Sequence, residues 1–228
     1  MARIYPEGMH GAIADGIRAA IPYAEVRTGT LDQPGQGLPP ELLERTDVLL
    51  WWGHLAHDRV DDALVEGVTD RVLGGMGLLV LHSGHYSKVF RKLLGTTCSL
   101  SWRNDGEREL VWTIDPGHPI AAGVDQPIVL DRHEMYGEPF DIPQPDEVVF
   151  ISSFAGGEVF RSGVTYRRGR GRIFYFSPGD EAFPVYHHPQ IRLVLANAVR
   201  WAMPAAPILP PATAFRAERA FTSTERPS

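Results

Sequence analysis

The sequence predicts a three-layer α/β/α fold in which a mostly parallel sheet is flanked by helices. Two continuous apolar runs, 47–52 and 78–81, are typical of parallel strands that are covered on both faces. Between them, apolar residues recur at four-residue intervals, as on one face of a helix: Val60, Leu64, Val68 and Val72. This strand–helix–strand order with short loops favours a parallel sheet with helices on its faces.

The N-terminal part of the chain is predicted to alternate between helix and strand. Apolar spacing predicts a first helix over 9–20, and alternation predicts a strand over 24–28. A segment rich in Gly and Pro, 30–40, interrupts regular structure before a short helix at 41–45. The apolar run 47–52 is expected in the middle of the sheet.

Beyond residue 94 the pattern changes to shorter strands, which indicate an antiparallel insertion or sheet edge. Turn residues separate these short strands, predicted at 99–102, 109–114 and 127–131. A buried strand is predicted at 148–154, and 163–178 is predicted to form a hairpin around a Gly-Arg-Gly turn.

The chain is predicted to form one domain with a C-terminal tail. A last amphipathic helix is expected at about 189–203, so the domain covers 1–203. Five of the 25 residues in 204–228 are Pro and most others are small or charged, which predicts a disordered tail.

Composition argues against nucleic-acid-binding, membrane-spanning and secreted proteins. The 228 residues include 22 Lys and Arg against 28 Asp and Glu, and no basic face that would bind nucleic acid is evident. No apolar run approaches the roughly 20 residues of a membrane helix. Cys98 is the single cysteine, and the N terminus lacks a secretory pattern. We therefore expect a cytoplasmic protein that binds neither nucleic acid nor membranes. The sequence is compatible with a homo-oligomer.

Candidate functional residues follow the predicted strands. His54 and His57 come after the strand at 47–52, and His82, Ser83 and His85 come after the strand at 78–81. Further polar residues occur in two later segments of the chain: Glu134 and Tyr136, and then Asp180 and Glu181. Parallel strands deliver the loops at their carboxyl ends to one edge of the sheet, so these residues are expected around one cleft.

Two kinds of chemistry suit this set equally. Imidazoles spaced three apart, together with carboxylates, suit zinc or another divalent ion, with His54, His57 and Glu134 as the candidate ligands. They also suit proton transfer near neutral pH. His54 and His57 could instead belong to a loop in which an imidazole caps the backbone of the following helix.

A cysteine or serine nucleophile is not indicated. The turn after the strand at 78–81 carries His82 and Ser83, with no cysteine and no Gly-x-Ser-x-Gly pattern. Cys98 lies further along the chain, where a buried small apolar residue is the better interpretation. The chain is therefore not expected to be a cysteine-dependent glutamine amidotransferase.

Four sequence blocks, in order along the chain, resemble the ThuA-like family of trehalose utilisation. These blocks are Val48–His57, Gly75–His85, Glu134–Pro143 and Gly157–Gly163. The resemblance implies a class I glutamine amidotransferase-like, flavodoxin-like fold without the amidotransferase cysteine. It also implies a role in the catabolism of trehalose or a related disaccharide, handled as a keto-glycoside, and a bound divalent metal such as zinc.

The chain departs from this family pattern in two places. The family has a first strand before the position of Ile4, so either the true start lies upstream or the sheet lacks that strand. The family also reads Gly-His-Glu where this chain has Gly179, Asp180 and Glu181. A metal site tolerates that exchange, whereas a proton-shuttling histidine does not.

Two functions are compatible with these observations. The first is a lyase or hydrolase that acts on a disaccharide or keto-glycoside by metal-assisted or His/carboxylate-assisted acid–base chemistry. The second is a non-catalytic sugar-binding or partner subunit that uses the same cleft.

Overall fold

The computed structural model describes residues 3–210, which form a seven-stranded sheet with helices on both faces. The helices are α1 Gly8–Ala20, α2 Pro40–Glu44, α3 Asp62–Gly74, α4 Lys88–Leu94 and α5 Pro189–Ala202. The strands are β1 Val48–Trp52, β2 Gly77–Leu81, β3 Ser101–Thr113, β4 Ile128–Gly137, β5 Glu147–Phe154, β6 Val159–Arg168 and β7 Gly171–Phe176. No described helix has both the length and the apolar character needed to cross a bilayer.

The α/β class is confirmed, but the prediction of a mostly parallel sheet is wrong. The strand order is β1-β2-β7-β6-β5-β3-β4. Two of the six pairings are parallel, β1 with β2 and β2 with β7, and the other four are antiparallel. The consecutive strands β5, β6 and β7 are joined by short connections, such as 169–170 between β6 and β7, and short connections cannot link parallel neighbours.

The two faces of the sheet bury separate cores. Alternation along β2 sends Leu79 and Leu81 to the face covered by α1 and α5, and sends Leu78 and Val80 to the face covered by α3 and α4. All five β2 residues are buried, as expected for an interior strand. The helix–sheet–helix layering was thus predictable from the apolar pattern.

The strand at 47–52 is at the edge of the sheet, which corrects its predicted central position. Among the described residues no strand pairs with the outer side of β1, and all five of its residues are only half-buried. The predicted strand at 24–28 does not form. Ala24 and Val26 still pack against the core, but the segment pairs with no neighbouring strand.

Two further boundaries differ from the prediction. The strands predicted at 99–102 and 109–114 form one long strand, β3, with a register shift near Gly106, whose φ is +68°. After α5, the Leu209 N–H donates to the Gly74 carbonyl at 3.0 Å and Ile208 packs against the sheet core, so contacts with the domain extend past residue 203. The rest of the predicted tail, 211–228, lies outside the described residues.

Candidate functional site

His82 occupies the turn that follows β2, with a backbone conformation that non-glycine residues rarely adopt. Its φ is +50° and its side chain is fully buried. Strain of this kind persists where the surrounding structure holds it, and it concentrates at functional positions. The Nδ1 atom lies 2.8 Å from the Ser177 carbonyl oxygen. Because a carbonyl only accepts, Nδ1 carries the hydrogen and Nε2 faces the other way.

The Nε2 atom of His82 faces a carboxylate and a phenol. It lies 3.0 Å from Glu134 Oε2 and 3.3 Å from the Tyr136 hydroxyl, and the Tyr136 ring stacks on the imidazole at 4.8 Å. Burial acts to raise the pKa of Glu134, but the hydrogen bond and charge of His82 lower it below its usual value. Two lone pairs at 3.0 Å repel, so the contact needs a proton or a metal cation between them.

Tyr136 keeps its proton at this site. Burial raises the pKa of Tyr136 well above its ordinary value, and the nearby Tyr175 and Glu134 act in the same direction. A phenol that keeps its proton beside His82 can donate a hydrogen bond, but the raised pKa makes it a weak acid.

Asp180 reaches the same point from the loop after β7. Asn104 Nδ2 donates to Asp180 Oδ2 at 3.0 Å, and the Ala182 N–H donates to Oδ1 at 2.6 Å. In residues 3–210, the only group of three or more His, Cys, Asp or Glu side chains with ligand atoms within 4.8 Å of one another is His82, Glu134 and Asp180. We call these three residues the His82 cluster.

The His82 cluster is buried more deeply than a surface cleft. Asp180 is 1% exposed, and the Glu134 side chain is 7% exposed. Electrostatic interactions are stronger in such a water-poor environment than at a surface. The cluster therefore combines strong polar contacts with limited access.

The loops at the carboxyl edge of the parallel strands do meet, as predicted. Trp52 Nε1 donates to the Gly179 carbonyl at 3.0 Å, and Ser83 Oγ donates to the Gly53 carbonyl at 2.9 Å. These bonds join the loops after β1, β2 and β7. The Ser83 hydroxyl is occupied by this link between loops.

His54 and His57 lie apart from the His82 cluster. His54 Nε2 is 3.2 Å from Glu181 Oε1, and both side chains are partly exposed. His57 packs edge-on against Tyr86, and burial lowers its pKa. The geometry groups Glu134 with His82 and Asp180 rather than with these two histidines. A metal bound by His54, His57 and Glu134 stays a prediction from sequence.

Two buried residues lie beside the His82 cluster, Glu109 and His133. Sequence reasoning gave no sign of Glu109, and it placed His133 in the polar segment of Glu134 without naming it as a site residue. His133 Nδ1 lies 2.7 Å from Glu109 Oε2, and His133 Nε2 accepts from the backbone N–H groups of Gly179 and Asp180. His133 directly precedes Glu134, which is a signal that could have drawn attention to it. Glu109 is the first residue of the strand predicted at 109–114, and its neighbours in the sequence give no comparable signal.

His85 is a buried, neutral histidine. Its Nδ1 atom donates to the Cys98 carbonyl at 2.6 Å, and its ring is surrounded by the aromatic side chains of Tyr136, Phe140 and Tyr175. Burial lowers the pKa of His85 from 6.5 to about 4, against the opposing effect of its backbone hydrogen bond. It is therefore uncharged at neutral pH.

Acidification is expected to destabilise the protein through His85. Because the pKa is lower in the folded chain, the unfolded chain binds the proton more readily between pH 6.5 and pH 4. Stability should fall by about 3 kcal/mol as the pH drops through that window. Urea unfolding at pH 7 and pH 4 should show a smaller pH-dependent loss in His85→Asn. The exposed His10→Asn is the control, and an unchanged loss in His85→Asn would contradict the assignment.

Replacing Cys98 by serine is expected to leave any activity nearly intact. Cys98 is buried and lies outside the turn that His82 occupies, and burial raises the pKa of its thiol to about 11. A protonated thiol is a poor nucleophile. Turnover and melting temperature of Cys98→Ser check this expectation, and a folded but inactive variant would indicate thiol chemistry.

Comparison with known proteins identifies the family to which this chain belongs. The family model described as ThuA, trehalose utilisation, matches residues 8–202, which include the His82 cluster. The chain belongs to the ThuA family. No curated protein matches the chain.

Solved structures similar to this ThuA-family chain support the fold. A cytoplasmic protein from Salmonella typhimurium is 13% identical, with a TM-score of 0.62, and the match covers 85% of this chain and 86% of that one. A putative ThuA-like protein from Bacteroides uniformis is 18% identical, with a TM-score of 0.60 and 85% of each chain covered. One from Parabacteroides merdae is 13% identical, with a TM-score of 0.58, and 85% and 84% covered.

Proposed function

We propose that this ThuA-family chain is a cytoplasmic enzyme of carbohydrate metabolism that acts on a disaccharide or keto-glycoside. The observation that carries this proposal is the close approach of His82 Nε2, Glu134 and Asp180 in a buried environment. Three such groups in reach of one another, with a protonated tyrosine beside them, are suited to moving protons or binding a cation.

Charge balance favours a cation at this position. Three buried carboxylates, those of Glu109, Glu134 and Asp180, lie around His82 and His133. Buried carboxylates are costly unless they are paired or bind a metal. A divalent ion or a protonated imidazole would supply the missing positive charge.

The donor set of the His82 cluster fits a divalent metal. One imidazole and two carboxylates suit zinc, manganese or iron. The ligand atoms of His82 and Glu134 are 3.0 Å apart, close enough for both to bind one ion. His82, Glu134 and Asp180 are therefore the residues we propose as ligands, in place of His54 and His57.

The roles of the side chains follow from their contacts. A metal ion at this site would polarise a substrate carbonyl and lower the pKa of bound water. The Ser177 carbonyl fixes the His82 ring, so that Nε2 keeps its direction. Tyr136, which stays protonated, is proposed to donate a hydrogen bond to the sugar oxygen, and Glu134, ionised beside His82, is proposed to bind the cation.

Trp102 is a candidate platform for a sugar ring. It is 67% exposed, it pairs directly with Tyr136 across β3 and β4, and Asn104, two positions on, contacts Asp180. Opposed residues of an antiparallel pair, and alternate residues of one strand, share a face. Trp102→Ala is therefore expected to raise KM about tenfold, equivalent to about 1.4 kcal/mol of stacking.

The matched control for Trp102 is Trp112→Ala, at the other end of β3, where the indole donates to Ser153. KM measured for both variants decides the question. Equal effects of the two substitutions would contradict a specific sugar contact.

The experiment that tests the proposed function begins with the metal content of the purified protein. Turnover of trehalose and of 3-keto-trehalose is then measured with and without a chelator, in the wild type and in Glu134→Gln. A buried histidine away from the His82 cluster, His118, gives the control variant His118→Gln. Sugar binding without turnover under all conditions would favour the alternative, a non-catalytic sugar-binding subunit.

A further inference from the structure

Glu109 and His133 form a buried polar pair in the sheet that the proposed chemistry does not use directly. Glu109, on β3, is fully buried, and His133, on β4, is 1% exposed. The Ser152 hydroxyl donates to the second carboxylate oxygen of Glu109. A charged residue is rarely so buried without a specific role or partner.

The contacts of His133 define which nitrogen carries the hydrogen. Nε2 accepts from the N–H of Gly179 at 2.9 Å and from the N–H of Asp180 at 3.2 Å. Two N–H donors directed at Nε2 require a lone pair there, so the hydrogen of the neutral ring is on Nδ1. Nδ1 lies 2.7 Å from Glu109 Oε2, so the buried carboxylate faces the ring nitrogen that carries the hydrogen. Glu109 thus favours the tautomer of His133 in which Nε2 accepts from the 179–180 loop.

The loop that is hydrogen-bonded to His133 carries Asp180 into the His82 cluster. Gly179 and Asp180 follow β7, and His133 holds the two consecutive N–H groups at which the chain turns toward His82. Asn104 and the Ala182 N–H then orient the carboxylate. The position of Asp180 relative to its partners in the cluster therefore depends on His133.

We propose that Glu109 and His133 are positioning residues, which hold the 179–180 turn so that Asp180 is presented to His82 and Glu134. This inference rests on the proposed function of the His82 cluster as a cation or proton site. Partners that orient metal ligands typically change metal affinity about 10- to 100-fold when they are replaced.

Two matched substitutions at His133 separate positioning from packing. His133→Gln keeps an acceptor near the position of Nε2, where the two N–H groups point, whereas His133→Asn keeps a donor near Nδ1 and loses that acceptor. Both remove the ring, so their effects on packing are similar. A purely structural role predicts equal losses of melting temperature and of metal affinity in the two variants.

The experiment measures Zn²⁺ and Mn²⁺ affinity by calorimetry in the wild type, both His133 variants, Glu109→Gln and the control His118→Gln. We expect about 10- to 100-fold weaker binding for His133→Asn and a change of only a few-fold for His133→Gln. In an Asp180→Asn background, His133→Asn should add little, because the residue that it positions is already altered. Equal affinities for the Gln and Asn variants would overturn the proposal.

A second measurement does not depend on metal binding. Nitrogen NMR shifts of His133 should report the Nδ1–H tautomer, and amide hydrogen exchange at 179 and 180 should accelerate in His133→Asn but not in His133→Gln. If the wild type binds no metal, the metal site fails, and this exchange pattern alone decides the positioning role. Unchanged exchange in His133→Asn would overturn it.

Discussion

Replacing His82 by alanine is expected to abolish turnover, with a loss of about 100-fold or more in kcat/KM. The substitution removes the Nε2 atom that faces Glu134 and Tyr136, and it also removes the donor to the Ser177 carbonyl. Steady-state kinetics, metal content and circular dichroism of the variant check this result. Because a buried polar group left without a partner costs about 1–3 kcal/mol, and more when it is charged, some loss of stability accompanies the loss of activity.

A second variant at this position separates chemistry from folding. His82→Asn keeps a donor near the position of Nδ1 for the Ser177 carbonyl but provides nothing at Nε2. It should be more stable than His82→Ala and equally inactive, while His118→Gln should retain activity. A folded His82→Asn protein with wild-type turnover would refute a role for the His82 cluster in catalysis.

Replacing Gly179 by alanine should both destabilise the protein and disturb the site. An added Cβ would overlap the fully buried Tyr186 hydroxyl and lie 2.8 Å from His82 Cβ. Overpacking of this kind typically costs about 1–3 kcal/mol. In a domain of this size that corresponds to a fall in melting temperature of roughly 2–12 °C. Differential scanning calorimetry and kinetics measure the two effects.

The cause of the Gly179 effect can be checked by a compensating change. In Gly179→Ala/Tyr186→Phe the overlapping hydroxyl is absent, so part of the lost stability should return. Tyr186 itself has no hydrogen-bond partner for its hydroxyl among the described residues, and its removal alone should cost little. If the double variant were no more stable than Gly179→Ala, the clash with Tyr186 would not be the cause.

Much of the parallel half of the fold was predictable because its signals are local. The apolar runs of β1 and β2, and the four-residue spacing in α3, can be detected within short windows of sequence. The position of each strand in the sheet could not be detected in that way. The run at 47–52 is as apolar as an interior strand but is at the edge, since pairing depends on segments distant in sequence.

The candidate site was predictable only in part, for a related reason. His82, Glu134 and Asp180 were candidates because each lies near a strand end, and the structure brings all three together. His54 was an equally good candidate from sequence, yet it contacts Glu181 instead. Sequence shows which residues are near strand ends, but the register between strands decides which of them meet.

The sequence by itself determined four of the five helices, the apolar strands, the ThuA family and the polar residues at the strand ends, but it gave no prediction for α4. Only the tertiary structure decided that four of six strand pairings are antiparallel and that Glu109 is buried behind His133. The physical reason is that helix periodicity and strand burial arise from neighbouring residues, whereas pairing and register join distant segments. A register shift of one residue in β4 would turn each of its side chains, including those of His133 and Glu134, to the opposite face of the sheet.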